Sequence, residues 1–206
     1  KPGSAPVELL ITGAKSANPR TRLEAIVAAA RQGLVEVAPA IAESLGHSDA
    51  TLAHVAYRGL SQLQSEKSAF SVFKNKQSSN GQKRGASLAL MRIHKKEVVD
   101  ELLPMLSDHK NPLFKHSFEI LARLYHKEKT WDRKHWGGRP DTRGPYYEMV
   151  TWEQSERILT ALREALWRLS KDQVGEYLSI LGGNRIQDNE TLNSLIESSK
   201  YDSSLI

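Results

Sequence analysis

Between residues 131 and 147 the sequence gathers side chains suited to gripping another molecule: Trp131, Trp136, Tyr146 and Tyr147 stand among Arg139, Asp141 and Arg143. Aromatic rings and guanidinium groups dominate the energetics of protein interfaces, because each combines a large contact area with directed hydrogen bonding. Arg139, Asp141 and Arg143 alternate in charge around Pro140 and Thr142, a spacing suited to an Arg–carboxylate fork that pins a turn. Two readings follow. Either the segment packs on itself as a brace, or it offers these seven residues to a partner.

Other chemistry is thinner. His54 and His116 occupy the same position of a repeat, two units apart, and at about 10 Å per helix layer they are too far apart to share one metal ion. Lys83, Arg84, Arg92, Lys95, Lys96, Lys110 and Lys115 crowd one region of a chain whose formal net charge is +5. Their plain reading is a solvated face. The sharper one is a phosphate-binding groove, and beside it Trp131, Trp136 and Asp141 would be the raw material of a base-flipping pocket. No P-loop, Gly-x-Ser-x-Gly elbow, His-Glu-x-x-His helix or dinucleotide-binding glycine pattern occurs, so the common catalytic signatures are missing. Cysteine is absent, which removes disulfides, thiolate nucleophiles and Cys-based zinc or haem attachment from this chain. Neither a cofactor nor a metal is expected.

The elements that position these residues are read from a repeat. Asn18, Asp49, Asn80 and Asn111 follow one another at intervals of 31 residues, and each is a residue type that caps a helix by accepting a hydrogen bond from a first-turn amide. Pro19 and Pro112 come next, where a helix tolerates proline best. Seven residues beyond the caps stand Ala25, Ala56, Ser87 and Phe118, and eleven beyond stand Ala29, Leu60, Met91 and Ala122. Small then apolar at helical spacing predicts close packing, with a change of geometry at Phe118. A second apolar run follows each of the first three leading helices: Val37, Ile41 and Leu45; Val72 and Phe73; Val98, Leu102, Leu103 and Leu106. Two antiparallel helices per 31 residues, turning near Gly33, Ser65 and Lys95, make a helical hairpin that cannot bury its apolar face alone and therefore stacks. The expected fold is all-α, an α-solenoid of HEAT-like hairpins forming one repeat domain over residues 1–206.

The array is interrupted once. The fourth leading helix is expected over Pro112 to His126, and its partner begins only at Thr151. Residues 127–150, rich in Gly, Pro and aromatics, read as one long loop insertion without helical period. Thr151 is the expected cap of the next helix, with Ile158, Leu159, Leu162, Leu166 and Leu169 on its buried face. Shorter helices are expected over 171–181 and 189–198, separated by Gly182 and Gly183, with a frayed end from Tyr201 to Ile206.

The run Trp136-Gly137-Gly138-Arg139-Pro140-Asp141-Thr142-Arg143-Gly144-Pro145-Tyr146-Tyr147, followed by Val150-Thr151-Trp152-Glu153, resembles a motif in the HEAT-repeat region of large exported proteins of planctomycete-type bacteria. In that family the region commonly stands between a sugar-dehydrogenase-like β-propeller and a c-type cytochrome domain. The resemblance implies a periplasmic or extracellular location and a neighbouring domain as partner; the family's Cys-x-x-Cys-His haem signature is absent here. No apolar stretch reaches the roughly 20 residues that cross a bilayer, and no charged-then-apolar leader opens the sequence. Together these readings predict a non-catalytic protein-interaction or structural scaffold that binds a protein partner or a neighbouring domain of its parent chain. A nucleic-acid-binding protein, such as a HEAT-like DNA glycosylase, is the alternative.

Overall fold

The structure is a computed structural model that describes residues 5–130 and 148–186. It is an all-α helical-repeat fold: the described residues form ten α-helices, two short 3-10 turns and one two-stranded antiparallel pair. The chain divides into two compact units, residues 1–100 and 101–206.

The first unit contains α1 (Val7–Ala14), α2 (Pro19–Gln32), a 3-10 turn (Val35–Val37) continued by α3 (Ala38–Ala42), α4 (Ala50–Gln62), α5 (Glu66–Phe73) and α6 (Asn80–Leu90). Leading helices pack side by side, α2 on α4 and α4 on α6. Each trailing helix packs on the next leading one: α1 on α2, α3 on α4 and α5 on α6. Asn18 caps α2 through Oδ1, which accepts from the amides of Arg20 at 3.0 Å and Thr21 at 3.3 Å. Asp49 caps α4 in the same way, accepting from Thr51 at 2.8 Å and Leu52 at 3.2 Å. The third cap is one residue earlier than the spacing predicts. Ser79 and Gln82 form a reciprocal capping box, in which the Ser79 hydroxyl accepts from Gln82 N and the Gln82 side chain accepts from Ser79 N.

The small residues behave as their positions demand. Ala25, Ala56 and Ser87 are buried, as are Ala29 and Leu60, whereas Met91 is only half-buried because α6 has ended there. Around them Ile26, Ile41, Leu52, Leu60, Phe73 and Leu90 form the core. Helix ends, whose last carbonyls lack intrahelical partners, are tied across the repeat. Gln62 Nε2 donates to the Ala30 carbonyl at 3.1 Å. Lys95 Nζ donates to the Gln64 carbonyl at 2.6 Å and to Glu66 Oε2 at 2.7 Å. Gly33 and, one repeat on, Gln64 both turn in the left-handed region, at φ 71° and 52°. Gly46 does so as well, at φ 72°, and its Cα lies against the backbone of Gly81 and Gln82 at the start of α6.

Helix α7 covers Lys96–Leu102, and Val98, Val99 and Leu102 on it are buried. The second unit holds a 3-10 turn (Leu103–Leu106), α8 (Phe114–Leu124), β1 (Lys127–Glu128), β2 (Met149–Val150), α9 (Ser155–Trp167) and α10 (Lys171–Gly183). Here Asn111 does not cap its helix. Its side chain accepts from Leu113 N at 2.9 Å and closes a turn ahead of α8, leaving Pro112 outside the helix. Phe118, bulky where the first three repeats are small, is fully buried; it stacks on Phe114, and the Tyr177 ring of α10 meets it edge-on at 4.8 Å. The α9 face is as expected for Ile158, Leu159, Leu162 and Leu166.

Three local expectations need correction. Thr151 does not cap α9, which begins at Ser155 without a side-chain cap on its N-terminal residue. Gly182 and Gly183 close α10 instead of breaking the chain after 181, as glycine costs little in a last turn where few hydrogen bonds remain to be made. The insertion is not loop throughout, because its first and last pairs of residues form a strand ladder. The expected helix over 189–198 and the frayed end from Tyr201 lie outside the described residues.

Candidate functional site

All seven residues that the sequence nominates, Trp131, Trp136, Arg139, Asp141, Arg143, Tyr146 and Tyr147, lie outside the described residues. The base from which they depart is described in full. Lys127 pairs with Val150 and Glu128 with Met149 in antiparallel register. One step further out, Lys129 N donates to the Glu148 carbonyl at 3.0 Å, and their side chains form an ion pair at 2.6 Å. The two ends of the insertion are thus held side by side.

A polar knot behind the ladder ties this stem to its helices. The Trp152 indole Nε1 donates to the Leu124 carbonyl at the end of α8 at 2.7 Å. Ser155 Oγ, fully buried, accepts from Trp152 N at 2.8 Å and donates to the Tyr125 carbonyl at 2.7 Å. Two carbonyls left over where α8 ends are satisfied by residues that start α9, which accounts for the two helices flanking the insertion. His126 adds a third tie: its Nδ1 donates to the Asn184 carbonyl at 3.3 Å, its ring meets Tyr125 edge-on at 4.5 Å, and burial holds its pKa below the ordinary value. In the sequence Trp152 stands out beside the aromatic insertion and within its motif, whereas Ser155 and His126 do not stand out as site residues. The available signal was their position at the two edges of a break in helical period.

Further along α9, Trp167 is 53% exposed, unlike the buried apolar residues of its helix. Beside it Arg168 donates to the Leu106 carbonyl and to Glu164, both at 3.4 Å. Arg168, Leu106 and Glu164, with Arg157, Ala161 and Leu103 but without Trp167, line an open groove between the 3-10 turn and α9. An exposed Trp next to Arg is the pairing that interfaces favour, and in the sequence it is hidden inside a regular amphipathic helix.

Three of the seven basic residues are ion-paired. Lys95 is paired with Glu66, Lys96 with Asp100 at 2.7 Å, and Lys115 with Glu176. The hydrogen bond that Lys115 donates to Glu176 raises the Lys115 pKa above its ordinary value. Burial by itself would raise the Glu66 carboxyl, but the Lys95 hydrogen bond, helped by a backbone hydrogen bond and the ammonium's charge, carries it below its ordinary value. Arg92 lies over the Tyr57 ring, 5.7 Å from its centroid. Lys83, Arg84 and Lys110 have no ion pair among the described residues. His54 shares a 3.0 Å hydrogen bond with the Tyr57 hydroxyl, and His116 faces Glu119 at 3.5 Å. Among the described residues no group of three or more His, Asp or Glu is placed to hold a metal ion, and no helix is long and apolar enough to cross a membrane.

Against known proteins, the chain matches no protein-family model and no curated sequence.

Proposed function

We propose that this chain is a non-catalytic interaction scaffold in which a stack of helical hairpins carries a partner-binding insertion. The observation that supports the reading most is the stem. A two-residue ladder, an ion pair and the Trp152–Ser155 knot hold together the two ends of a segment whose sequence is dense in Trp, Tyr and Arg. Anchoring both ends reduces the conformational entropy lost on binding, which is how a rigid frame converts a loop into a recognition element. The resemblance of residues 136–147 and 150–153 to the HEAT-repeat region of large exported proteins supports a further proposal. The chain would be a segment of such a protein, outside the cytoplasm, with a neighbouring domain or a second protein as partner. The complete reading frame tests that part: a Cys-x-x-Cys-His in a following domain supports it, and a frame holding no further domain overturns it.

The experiment for the scaffold is an excision. Replacing residues 131–147 by a short Gly-Ser linker across the stem should leave the helical melting transition in place and abolish association with the parent protein's adjoining domain. Unchanged association would refute the reading.

Lys83, Arg84 and Lys110 favour a second reading, a phosphate-binding protein, while the ion-paired Lys95, Lys96 and Lys115 weigh against it. A duplex-DNA titration at low salt separates the two. Affinity that falls steeply with added salt and is lost on replacing Lys83 and Arg84 would favour nucleic acid; no binding at low salt removes that reading.

A further inference from the structure

The charge of this chain is unevenly spread. Between residues 50 and 96 stand nine Lys and Arg residues against one acid, Glu66, and that acid is taken up by Lys95. The stretch carries a surplus of eight positive charges where the whole chain carries five, so the remainder is net negative. Within it neither α4 nor α6 contains an Asp or Glu. A surface of one sign attracts and steers a partner of the other.

Packing turns part of the surplus onto one face. Helix α4 packs between α2 and α6, so this face belongs to the body of the first unit. His54 and Arg84 are each the fifth residue after their caps, Asp49 and Ser79, and Arg58 stands one turn beyond His54; all three are exposed. The buried side of the two helices carries Leu52, Ala56, Leu60, Ala86 and Leu90. Packed helices lie about 8–10 Å apart, which brings Arg58 and Arg84 onto neighbouring ridges. Arg92, just past the end of α6, reaches Tyr57 of α4 with its guanidinium 5.7 Å from the ring centroid, and the Tyr57 hydroxyl shares a 3.0 Å hydrogen bond with His54. Arg92 Nε is buried without a hydrogen-bond partner. Arg58, Arg84 and Arg92 have no ion pair among the described residues.

Guanidinium forks suit carboxylates, which they bind through paired, parallel hydrogen bonds. A single-stranded nucleic acid would need rings on which its bases stack, and Tyr57, the one Phe, Tyr or Trp on α4 and α6, already carries Arg92 and is tied to His54. We infer that the outward face of α4 and α6 is a docking surface for an acidic segment of a protein partner, whose carboxylates pair with Arg58, Arg84 and Arg92. The surface lies in the first unit, away from the insertion in sequence. Binding there should survive excision of residues 131–147, so this proposal and the insertion reading fail separately.

The test uses the whole chain with fluorescent oligoglutamate and, as the uncharged control, oligoglutamine. Fluorescence anisotropy at low salt should show saturable binding of oligoglutamate alone, weakening as salt is added. The double variant Arg58→Gln/Arg84→Gln should weaken it about tenfold, the effect of two exposed charge pairs, with the thermal melt unchanged because both residues are exposed. Lys67→Gln/Lys76→Gln removes the same charge from exposed positions outside the face and should weaken binding by less than about twofold. Absence of saturable binding, or equal losses in the two double variants, overturns the proposal. So does self-association of the free chain that Arg58→Gln/Arg84→Gln abolishes, which would give the face to a second copy. A duplex oligonucleotide that binds more tightly than oligoglutamate through the same two arginines overturns it in favour of nucleic acid.

Discussion

Replacing Gly46 with alanine places a methyl group 2.4 Å from Gln82 N and 2.6 Å from Gly81 C, in a residue whose φ is 72°. Two costs add. A non-glycine residue in the left-handed region costs roughly 1–2 kcal/mol. The methyl also overpacks against backbone atoms of α6 that cannot rotate away, so α6 or the turn after α3 must shift, which costs typically about 1–3 kcal/mol. Gly33 is the internal control, since it has nearly the same φ, 71°, with nothing within 4 Å of the added carbon. Gly33→Ala therefore carries the first cost alone. Urea unfolding followed by far-UV circular dichroism should show both variants destabilised, Gly46→Ala by about 1–3 kcal/mol more than Gly33→Ala. Equal losses would mean that α6 does not press on this turn, and the packing of the first unit would have to be redrawn.

The remaining predictions concern ties within each unit. The Glu66 carboxyl is held below its ordinary 4.5, so it binds protons less readily folded than unfolded, and its contribution is present above that value and lost as the pH falls through the folded pKa. Glu66→Gln should accordingly lower the urea midpoint at pH 7 and make little difference in strong acid; a gap that persists in acid would contradict the linkage. Trp152→Phe keeps an aromatic ring, though a smaller one, and removes the donor to the Leu124 carbonyl, costing about 1 kcal/mol or more. It should speed hydrogen exchange at the Lys129 amide, which donates across the stem; unchanged exchange there would uncouple the knot from the ladder. Tyr177→Ala should cost about 3–5 kcal/mol, the range for emptying a buried aromatic site, and Tyr177→Phe much less, because its ring contacts with Phe114 and Phe118 hold α10. Lys115→Gln should change stability by less than about 1 kcal/mol, since both partners of its ion pair are about half exposed.

How much was legible beforehand depends on the range of the interaction. Asn18 and Asp49 were readable because a cap is set by residues within one turn. Ser79 caps in place of Asn80 because Gln82, three residues on, completes a reciprocal box with it, a pairing that spacing by 31 does not encode. Thr151 failed as a cap since Trp152 and Ser155 are committed to carbonyls of α8, a pairing across 28 and 30 residues that no local pattern reveals. The limits of the insertion, 127–150, emerged from the loss of helical period, and the ladder falls on those residues. Strands two residues long leave no alternation to detect.

The central claim, that a partner is held at the pinned insertion, is tested most directly by site-specific photocrosslinking in the intact parent protein. A photoreactive residue is placed in turn at Trp136, at Tyr146 and, as a control on an exposed surface of α4, at Arg58. The account predicts a single crosslinked polypeptide or domain from positions 136 and 146 and none from 58. Equal crosslinking from all three positions, or none from the insertion, would contradict it.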